Sequence, residues 1–225
     1  MWCIGEVTDE YIRKMEDVLA VYEKPYNPKE PVVCLDERPL TLHGEVRSPI
    51  GMKAGRIRKR DGEYVRCGTA NAFCGVEPKA GRHFTKITRN RKAPEFAKMV
   101  DKILRAYPKA STIHLVMDNL STHKEKSLRE HFGERIGSKL WAKITPHYTP
   151  THGSWLNQAE IEISLFSRQC LGKDRIAEIG EMRRRARAWN QRINRAKTKI
   201  DWKFTRRKAR KKFKYETCTS RRLKY

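Results

Sequence analysis

The sequence of 225 residues predicts an α/β fold in which helices flank a mixed sheet, made of an antiparallel meander followed by parallel strands. Two short apolar runs that end on acids, at 32–36 and 112–118, indicate buried strands because they are too short for ordinary helices. Segments with apolar residues at helical spacing lie around these strands. After residue 171 the composition becomes strongly basic, which predicts a helical C-terminal tail.

Periodicity and turn residues justify the individual elements. Three prolines within 25–31 end the first helix and make an extended lead-in, and a turn over 78–81 joins two strands. Pro94 suits the first turn of a helix, and Ser154 is a candidate N-cap. The predicted order is a helix over 8–24, strand 32–36, an exposed basic loop over 43–62, strands 64–76 and 82–88, a helix over 94–106, strand 112–118, a helix over 124–132, a strand over 141–147, a helix over 155–170 and a basic helix over 177–196. This is the order of the ribonuclease-H-like fold.

The predicted parts of the chain are an N-terminal helix with its lead-in at 1–31, a ribonuclease-H-like domain at 32–171 and a basic helical tail at 172–225. Trp189, Trp202 and Phe204 lie among the basic residues of the tail. They either dock the tail on the core or stack on nucleic-acid bases, and we favour docking.

The charge balance indicates nucleic acid as the partner. The chain has 50 lysines and arginines against 26 acids, a formal net charge of +24, and residues 171–225 hold 21 of the basic residues. Such a chain attracts polyanions, and phosphate contacts make the binding salt-dependent. The predicted DNA-binding residues are Arg56, Arg58, Lys59, Arg60, Arg183, Arg184, Arg185, Arg187, Arg206 and Arg207. For the basic loop over 43–62, the alternative to DNA binding is a charged surface that contacts only solvent.

No segment has the character of a membrane span or a secretory signal. No apolar run is long enough to cross a bilayer, and residues 1–10 carry acids without a hydrophobic segment. The six cysteines are scattered without zinc-ligand spacing, which favours reduced, mostly buried thiols. These features predict a cytoplasmic, nucleoid-associated protein.

Acids on separated elements are unexpected in a DNA-binding chain unless cations neutralise them. Asp36 and Asp118 each end a strand, where ligands bind in open α/β sheets, and Glu160 and Glu162 lie on a predicted helix. Carboxylates suit Mg²⁺, and two ions roughly 3.5–4 Å apart can activate a nucleophile and stabilise a leaving oxygen. We therefore predict two Mg²⁺ ions, with Mn²⁺ as the alternative. A simple Asp-Asn turn is the other interpretation of Asp118.

Helix geometry distinguishes the two glutamates. They flank the apolar stripe that runs through Phe166 on opposite sides, so only one of them can reach the metal site. Glu160 shares a polar face with Asn157 and Ser164, and we assign it as the catalytic ligand beside the two aspartates. Glu162 is expected to support the site or to pair with a lysine or arginine.

Other polar residues are candidates for supporting roles around the three acids. For His123 and His152 a phosphate contact or a place beside the metal ligands competes with a purely structural hydrogen bond, which is commoner for a single histidine. Asn119 directly follows Asp118. The predicted supporting residues are Glu37, Asn119, His123, His152, Asn157 and Glu162.

Several segments resemble one family in their order along the chain. They are Val-Val-Cys-Leu-Asp-Glu (32–37), Tyr-Val-Arg-Cys-Gly-Thr-Ala-Asn (64–71), Met-Asp-Asn-Leu-Ser-Thr-His (117–123), His-Tyr-Thr-Pro (147–150) and His-Gly-Ser-Trp-Leu-Asn-Gln-Ala-Glu-Ile-Glu-Ile-Ser (152–164). Together they are similar to the DDE transposases of bacterial insertion sequences allied to mariner, the six-thirty group. The resemblance covers about residues 1–212.

The resemblance implies a ribonuclease-H-like catalytic domain that uses Mg²⁺ on Asp36, Asp118 and Glu160. The implied reaction is cleavage of phosphodiester bonds at the element's ends, followed by joining of the freed 3′ hydroxyl to target DNA. The implied partners are therefore end and target DNA, and a homodimer is an open alternative to a monomer.

The chain departs from the resembled family at both ends. Only one helix precedes the first catalytic strand, where relatives carry a helix-turn-helix region. Either a separate chain encodes that region, or this is a truncated copy. The residues from about Tyr215 fit the family poorly. An inactive copy that only binds nucleic acid, and a general ribonuclease-H-like nuclease, remain the rival interpretations.

Overall fold

A five-stranded mixed sheet forms the centre of the molecule, for which a computed structural model describes residues 7–215. The strand order is β3-β2-β1-β4-β5; the first three strands pair antiparallel, and β4 and β5 run parallel to β1. The elements are α1 Asp9–Glu23, β1 Val32–Glu45, β2 Tyr64–Glu77, β3 Arg82–Thr88, α2 Ala93–Ala106, β4 Ile113–Met117, α3 Glu125–Phe132, α4 Glu134–Trp141, β5 Ile144–Tyr148, a 3-10 turn Ser154–Leu156, α5 Ala159–Phe166, a π-helical turn Ser167–Leu171, α6 Ile179–Ala196 and α7 Arg206–Phe213. The predicted meander followed by parallel strands is confirmed.

The two faces of the sheet are covered by different helices, as alternation along the strands requires. Val33 and Leu35 face α2 and α3 and belong to one buried cluster. On the other face, Cys34 packs against α1, and Leu40 packs with α5 and α6. Even-numbered positions of β1 therefore point to the face that α5 covers, and Asp36 is one of them.

Strand β1 is much longer than the predicted strand 32–36. It continues to Glu45 and stays paired with β2, with a register shift between Leu42 and His43. The predicted basic loop over 43–62 therefore begins later than expected. Pro39 is tolerated within the strand because pairing with β4 ends at Cys34, which leaves that side of β1 without a neighbouring strand.

Helix α4 was not predicted, and it displaces the predicted strand 141–147. Trp141 ends the helix, and β5 begins at Ile144. Gly137 explains why the helix is hard to predict, since glycine disfavours helices. A Cβ at Gly137 would lie 2.4 Å from the backbone nitrogen of Arg129 on α3, so the close crossing of the two helices requires glycine.

The predicted continuous helix over 155–170 is wrong. The segment consists of a 3-10 turn, the eight-residue helix α5 and a π-helical turn. Ser154 lies in the 3-10 turn and does not cap α5, whose N-cap position is Gln158. The predicted apolar stripe is buried at Phe166, whereas Cys170 in the π-helical turn is half-buried.

The basic tail docks on the core through aromatic residues, as we favoured. Trp189 is buried against Phe166, and Trp202 and Phe204 pack against the cluster that α1 forms with the sheet. Arg210 of α7 also makes two hydrogen bonds with a glutamate of α1. Helices α1 and α7 therefore pack on the same side of the sheet.

Some predictions concern residues that the structure does not describe. Cys3, Cys218 and the sequence beyond Tyr215 lie outside residues 7–215. Within that range Cys34 and Cys74 are buried free thiols, and the other two cysteines are exposed or half-buried. Among the helices of this range, none combines the length and apolar character that a bilayer crossing requires.

A chain of four polar side chains connects α1 with β4 and β5. The Lys24 ammonium can only donate, so His114 Nε2 accepts its hydrogen bond at 3.1 Å. His114 Nδ1–H then donates to His147 Nε2 at 2.9 Å, and His147 Nδ1–H donates to Asp17 at 2.7 Å. This arrangement favours neutral His114 and fixes α1 on the sheet.

Replacing His114 by glutamine is expected to make folding less sensitive to acid. Burial, Lys24 and His147 hold the pKa of His114 below its ordinary value, against the opposite effect of Glu30 and Asp17. The unfolded chain therefore binds this proton more readily. Stability from neutral His114 is present above the unfolded pKa of about 6.5 and is lost as the pH falls below it.

Urea unfolding of both chains at several pH values between about 7.5 and 5 tests this expectation. Glutamine can accept from Lys24 and donate to His147 as neutral His114 does, but it does not titrate. The midpoint of the wild-type chain should fall more steeply with acid than that of His114→Gln. Two parallel curves would show that protonation of His114 does not weaken the fold.

Candidate active site

Asp36 and Asp118 are brought together by the parallel pairing of β1 with β4. Cys34 is opposite Val116 in this register, so Asp36 and Asp118 each follow the last paired position by two residues. Asp36 lies on the sheet face that α5 covers, as the other even-numbered positions of β1 do. The sequence predicts this placement because each acid directly follows a short buried run.

Asn157 connects the segment before α5 to β1 at Leu35 and Asp36. It is buried, and its Nδ2 donates to the Leu35 carbonyl at 2.9 Å and to Asp36 Oδ2 at 3.3 Å. Its Oδ1 accepts the backbone N–H of Ala159, the first residue of α5. Glu160 follows at once and is exposed at the sheet edge that holds the two aspartates.

The electrostatics of Asp36 reflect the proximity of the other acids. Burial, together with the charges of Glu160, Glu37 and Asp118, raises the pKa of Asp36 to about 7, although a hydrogen bond from the Glu37 N–H lowers it in part. The three predicted metal ligands therefore lie within electrostatic reach of one another. Glu160 is the acid with the largest effect on Asp36 among the three.

His123 lies between two acids as a buried cation. Its Nε2 is 2.9 Å from Glu37 Oε1, and its Nδ1 is 2.7 Å from Asp118 Oδ1. Burial alone lowers the pKa of His123, but hydrogen bonds and charge interactions with Asp118 and Glu37 raise it to about 10. The ring stacks on Phe96 of α2, and Tyr148 donates to the His123 carbonyl. His123 therefore orients Asp118 from the opposite face of the sheet.

The acids match the donor type that Mg²⁺ prefers, since they offer carboxylate oxygens that repel one another without a cation. Within residues 7–215 no three His, Cys, Asp or Glu side chains are already arranged to hold an ion. Asp118 has 38% of its side chain exposed and Glu160 is exposed, so both can rotate towards an ion. The three acids are therefore of the right chemical type to hold Mg²⁺, and binding requires their side chains to close around the ion.

Glu162 does not form the predicted pair with a lysine or arginine. It is completely buried, and its partner is the buried ring of His83 on β3 rather than a lysine or arginine. Burial raises the pKa of Glu162, and the hydrogen bond with His83 lowers it in part. His83 was not among the predicted site residues, because nothing near it in the sequence marks a partner 79 residues away.

Two of the predicted supporting residues lie away from the buried network. Asn119 is exposed next to Asp118. His152 is exposed, adopts a left-handed backbone conformation with φ of 61°, and lines a surface cleft with Tyr11 and Lys14 of α1. In the described part of the chain, no hydrogen bond joins His152 to any of the three acids.

The predicted DNA-binding residues fall into two groups. Arg56, Lys59, Arg187 and Arg207 are exposed and available to a polyanion. The others are held by neighbouring groups: Arg58 by Asp174, Arg60 by Glu45, Arg183 by the Ile87 carbonyl, Arg184 and Arg185 by Glu181, and Arg206 by Glu23. Exposed ion pairs of this kind contribute little to stability, so phosphates can compete for these arginines.

Comparison with solved structures gives the fold. A pre-cleavage Mos1 transpososome is 11% identical, with a TM-score of 0.50, and the match covers 90% of this chain and 67% of that chain. The Mos1 mariner paired end complex with Mn is also 11% identical, with a TM-score of 0.49 and the same coverage. At this identity the likeness to the pre-cleavage transpososome shows a ribonuclease-H-like fold and nothing about activity.

Comparison with family models identifies the family. The sequences of curated proteins include no significant match. The model described as DDE superfamily endonuclease, in contrast, matches residues 31–183, which contain the whole sheet and all three candidate ligands. This match covers more than half of the chain, and we conclude that the chain belongs to the DDE superfamily endonuclease family.

Proposed function

We propose that this chain is the catalytic domain of a DNA transposase. It cuts phosphodiester bonds at the ends of an element and transfers the freed 3′ hydroxyl into target DNA. The observation that carries the proposal is that Asp36 is close enough to Glu160 and Asp118 for their charges to raise its pKa. Family membership supports endonuclease chemistry at this edge.

The three acids are the proposed ligands of two Mg²⁺ ions, or of Mn²⁺. When bound, two such ions activate the attacking oxygen and stabilise the leaving oxygen of an in-line displacement. Asn157 and His123 orient Asp36 and Asp118 through the hydrogen bonds described above.

The basic surface is proposed to hold the DNA backbone next to the acids. Arg56 and Lys59 in the loop between β1 and β2, and Arg187 and Arg207 in the tail, are exposed. Such contacts position a phosphate without reading its sequence. Recognition of the element's ends is therefore assigned to a separate helix-turn-helix chain or region, and assembly as a homodimer belongs to the same proposal.

Each of the three proposed segments of the chain has its own role. Residues 32–171 carry the chemistry, 172–225 bind DNA and 1–31 fasten the sheet from one side. The Mos1 structures are, by their titles, a transpososome and a paired end complex, which supports transposon-end DNA as the substrate class. Such a substrate places the protein in the cytoplasm, at the nucleoid.

Nicking of DNA that carries the element's ends tests the proposal. Supercoiled plasmid with the sequences that flank the gene should be nicked in the presence of Mg²⁺ or Mn²⁺. A chelator should abolish nicking, because the carboxylates alone supply no nucleophile. The measured quantity is the rate of conversion of supercoiled to open-circular DNA.

A plasmid without the flanking sequences is the control for this experiment. Equal nicking of both plasmids would indicate that the chain is a general nuclease and not a transposase. Binding of DNA without nicking under any metal condition would support the inactive-copy interpretation, although all three acids are present.

A further inference from the structure

A buried pair of hydrogen-bonded side chains, Glu162 and His83, lies on the side of α5 that faces away from the metal site. The carboxylate of Glu162 and the ring of His83 are both 0% exposed, and His83 Nδ1 is 2.8 Å from Glu162 Oε2. The other oxygen, Glu162 Oε1, is buried and has no hydrogen-bond partner among the described residues. A pair that removes two ionisable groups from water in this way costs free energy unless its geometry is favourable.

His83 connects this pair to α6 and to the residues just after it. Its Nε2 donates to the Thr198 carbonyl at 3.0 Å, just after α6. Its backbone N–H donates to Asn194 Oδ1, and its backbone carbonyl accepts from Asn190 and Asn194. The two asparagines of α6 therefore hold the backbone of His83, and the Thr198 carbonyl holds its ring.

Helix α5 depends on such anchors because it is short. It has eight residues, a 3-10 turn precedes it, and a π-helical turn follows it directly. Asn157 fastens its start to β1. At about 100° per residue, Glu162 points roughly 200° away from Glu160, so an anchor at Glu162 fixes the rotation of the helix about its axis.

We propose that Glu162 and His83 are positioning residues, which hold α5 in the rotation that directs Glu160 towards Asp36 and Asp118. This inference rests on the proposed function, since it assigns Glu160 to the metal site. The pair acts through α5 and does not itself contact metal or DNA. Its expected effect is on the geometry of the third ligand rather than on DNA binding.

Mn²⁺ binding, followed by electron paramagnetic resonance, tests the inference without requiring cleavage. Glu160→Gln, which removes the ligand itself, gives the reference loss of affinity. Glu162→Ala is expected to weaken Mn²⁺ binding by about 10- to 100-fold, the usual range for loss of a group that orients a ligand. Glu162→Gln should retain most of the affinity, because an amide can still hydrogen bond with His83.

Tyr107→Phe is the matched control. It removes another buried hydrogen bond to a carboxylate, from the Tyr107 hydroxyl to Glu77 Oε2 at 2.6 Å, on a different helix. The control should lower the urea midpoint but leave Mn²⁺ affinity unchanged. DNA affinity without metal should be equal in all variants, which separates positioning from general loss of structure.

Glu162→Asp keeps the test decisive if Glu162→Ala does not fold. The aspartate retains the charge but is one methylene too short to reach His83, so Mn²⁺ should bind more weakly than in Glu162→Gln. Equal Mn²⁺ affinity in these two variants, or wild-type affinity in Glu162→Ala, overturns the inference. A chain that binds no Mn²⁺ overturns both this inference and the proposed function. If Mn²⁺ binds with the expected dependence on Glu162 but no DNA is cut, the proposed reaction alone fails.

Discussion

Asp118→Asn is expected to lower metal-dependent nicking by about 10³-fold, because charge stabilisation by a metal held in place contributes several kcal/mol to such a reaction. The asparagine keeps the size of the side chain but loses the negative charge that binds a cation. DNA affinity should stay close to that of the wild-type chain, since Asp118 lies outside the basic surface. Nicking rates and DNA binding at one salt concentration measure the two quantities.

Asp101→Asn is the control for this prediction. Asp101 is a carboxylate on α2 that pairs with Arg105 on the helix surface, and its loss should leave nicking unchanged. An Asp118→Asn chain that nicks at the wild-type rate would remove Asp118 from the mechanism. The urea midpoint must be measured alongside, because Asp118 also pairs with His123.

His123→Ala is expected to reduce the free energy of unfolding by about 3 kcal/mol or more, the usual cost of removing one partner of a buried ion pair. Glu37 and His123 have side chains that are only 2% and 1% exposed. Without the imidazole, the Glu37 carboxylate remains buried with no cation. Urea unfolding measures the loss, and nicking should also fall because Asp118 loses the group that orients it.

A double variant shows whether the stability loss comes from the uncompensated carboxylate. Adding Glu37→Gln to His123→Ala should recover part of the lost stability, since the remaining side chain is then neutral. His131→Ala, at a partly exposed histidine of α3, should change stability by no more than about 0.5 kcal/mol. If the effects of Glu37→Gln and His123→Ala simply add, the two side chains are not energetically coupled.

The parts of the molecule that the sequence predicts are those with local signals. The buried runs before Asp36 and Asp118 predict two strands of the sheet, although β1 continues past Asp36 to Glu45. Helical spacing predicts that Glu160 and Glu162 point in different directions, and Glu160 is exposed whereas Glu162 is buried. Strand order follows from the succession of elements along the chain. Each of these signals lies within a few neighbouring residues, so it can be recognised without knowledge of tertiary contacts.

The parts that the sequence does not predict depend on contacts between distant segments. His123 and Glu37 are 86 positions apart, and His83 and Glu162 are 79 apart, so no local pattern links them. Glycine at position 137 indicates a break in a helix, although the close crossing of α3 and α4 requires it. The interruptions around α5 have the same origin, because packing on the sheet overrides the periodicity of the segment.

The early separation of β1 from β4 determines how the third acid is attached. Pairing stops at Cys34, and the Leu35 carbonyl receives its hydrogen bond from the Asn157 side chain. Every amino acid has this backbone carbonyl, so a change of side chain at residue 35 would leave the hydrogen bond to Asn157 in place. At position 157 the side-chain amide itself is the donor, so natural selection is expected to act on residue 157 rather than on residue 35.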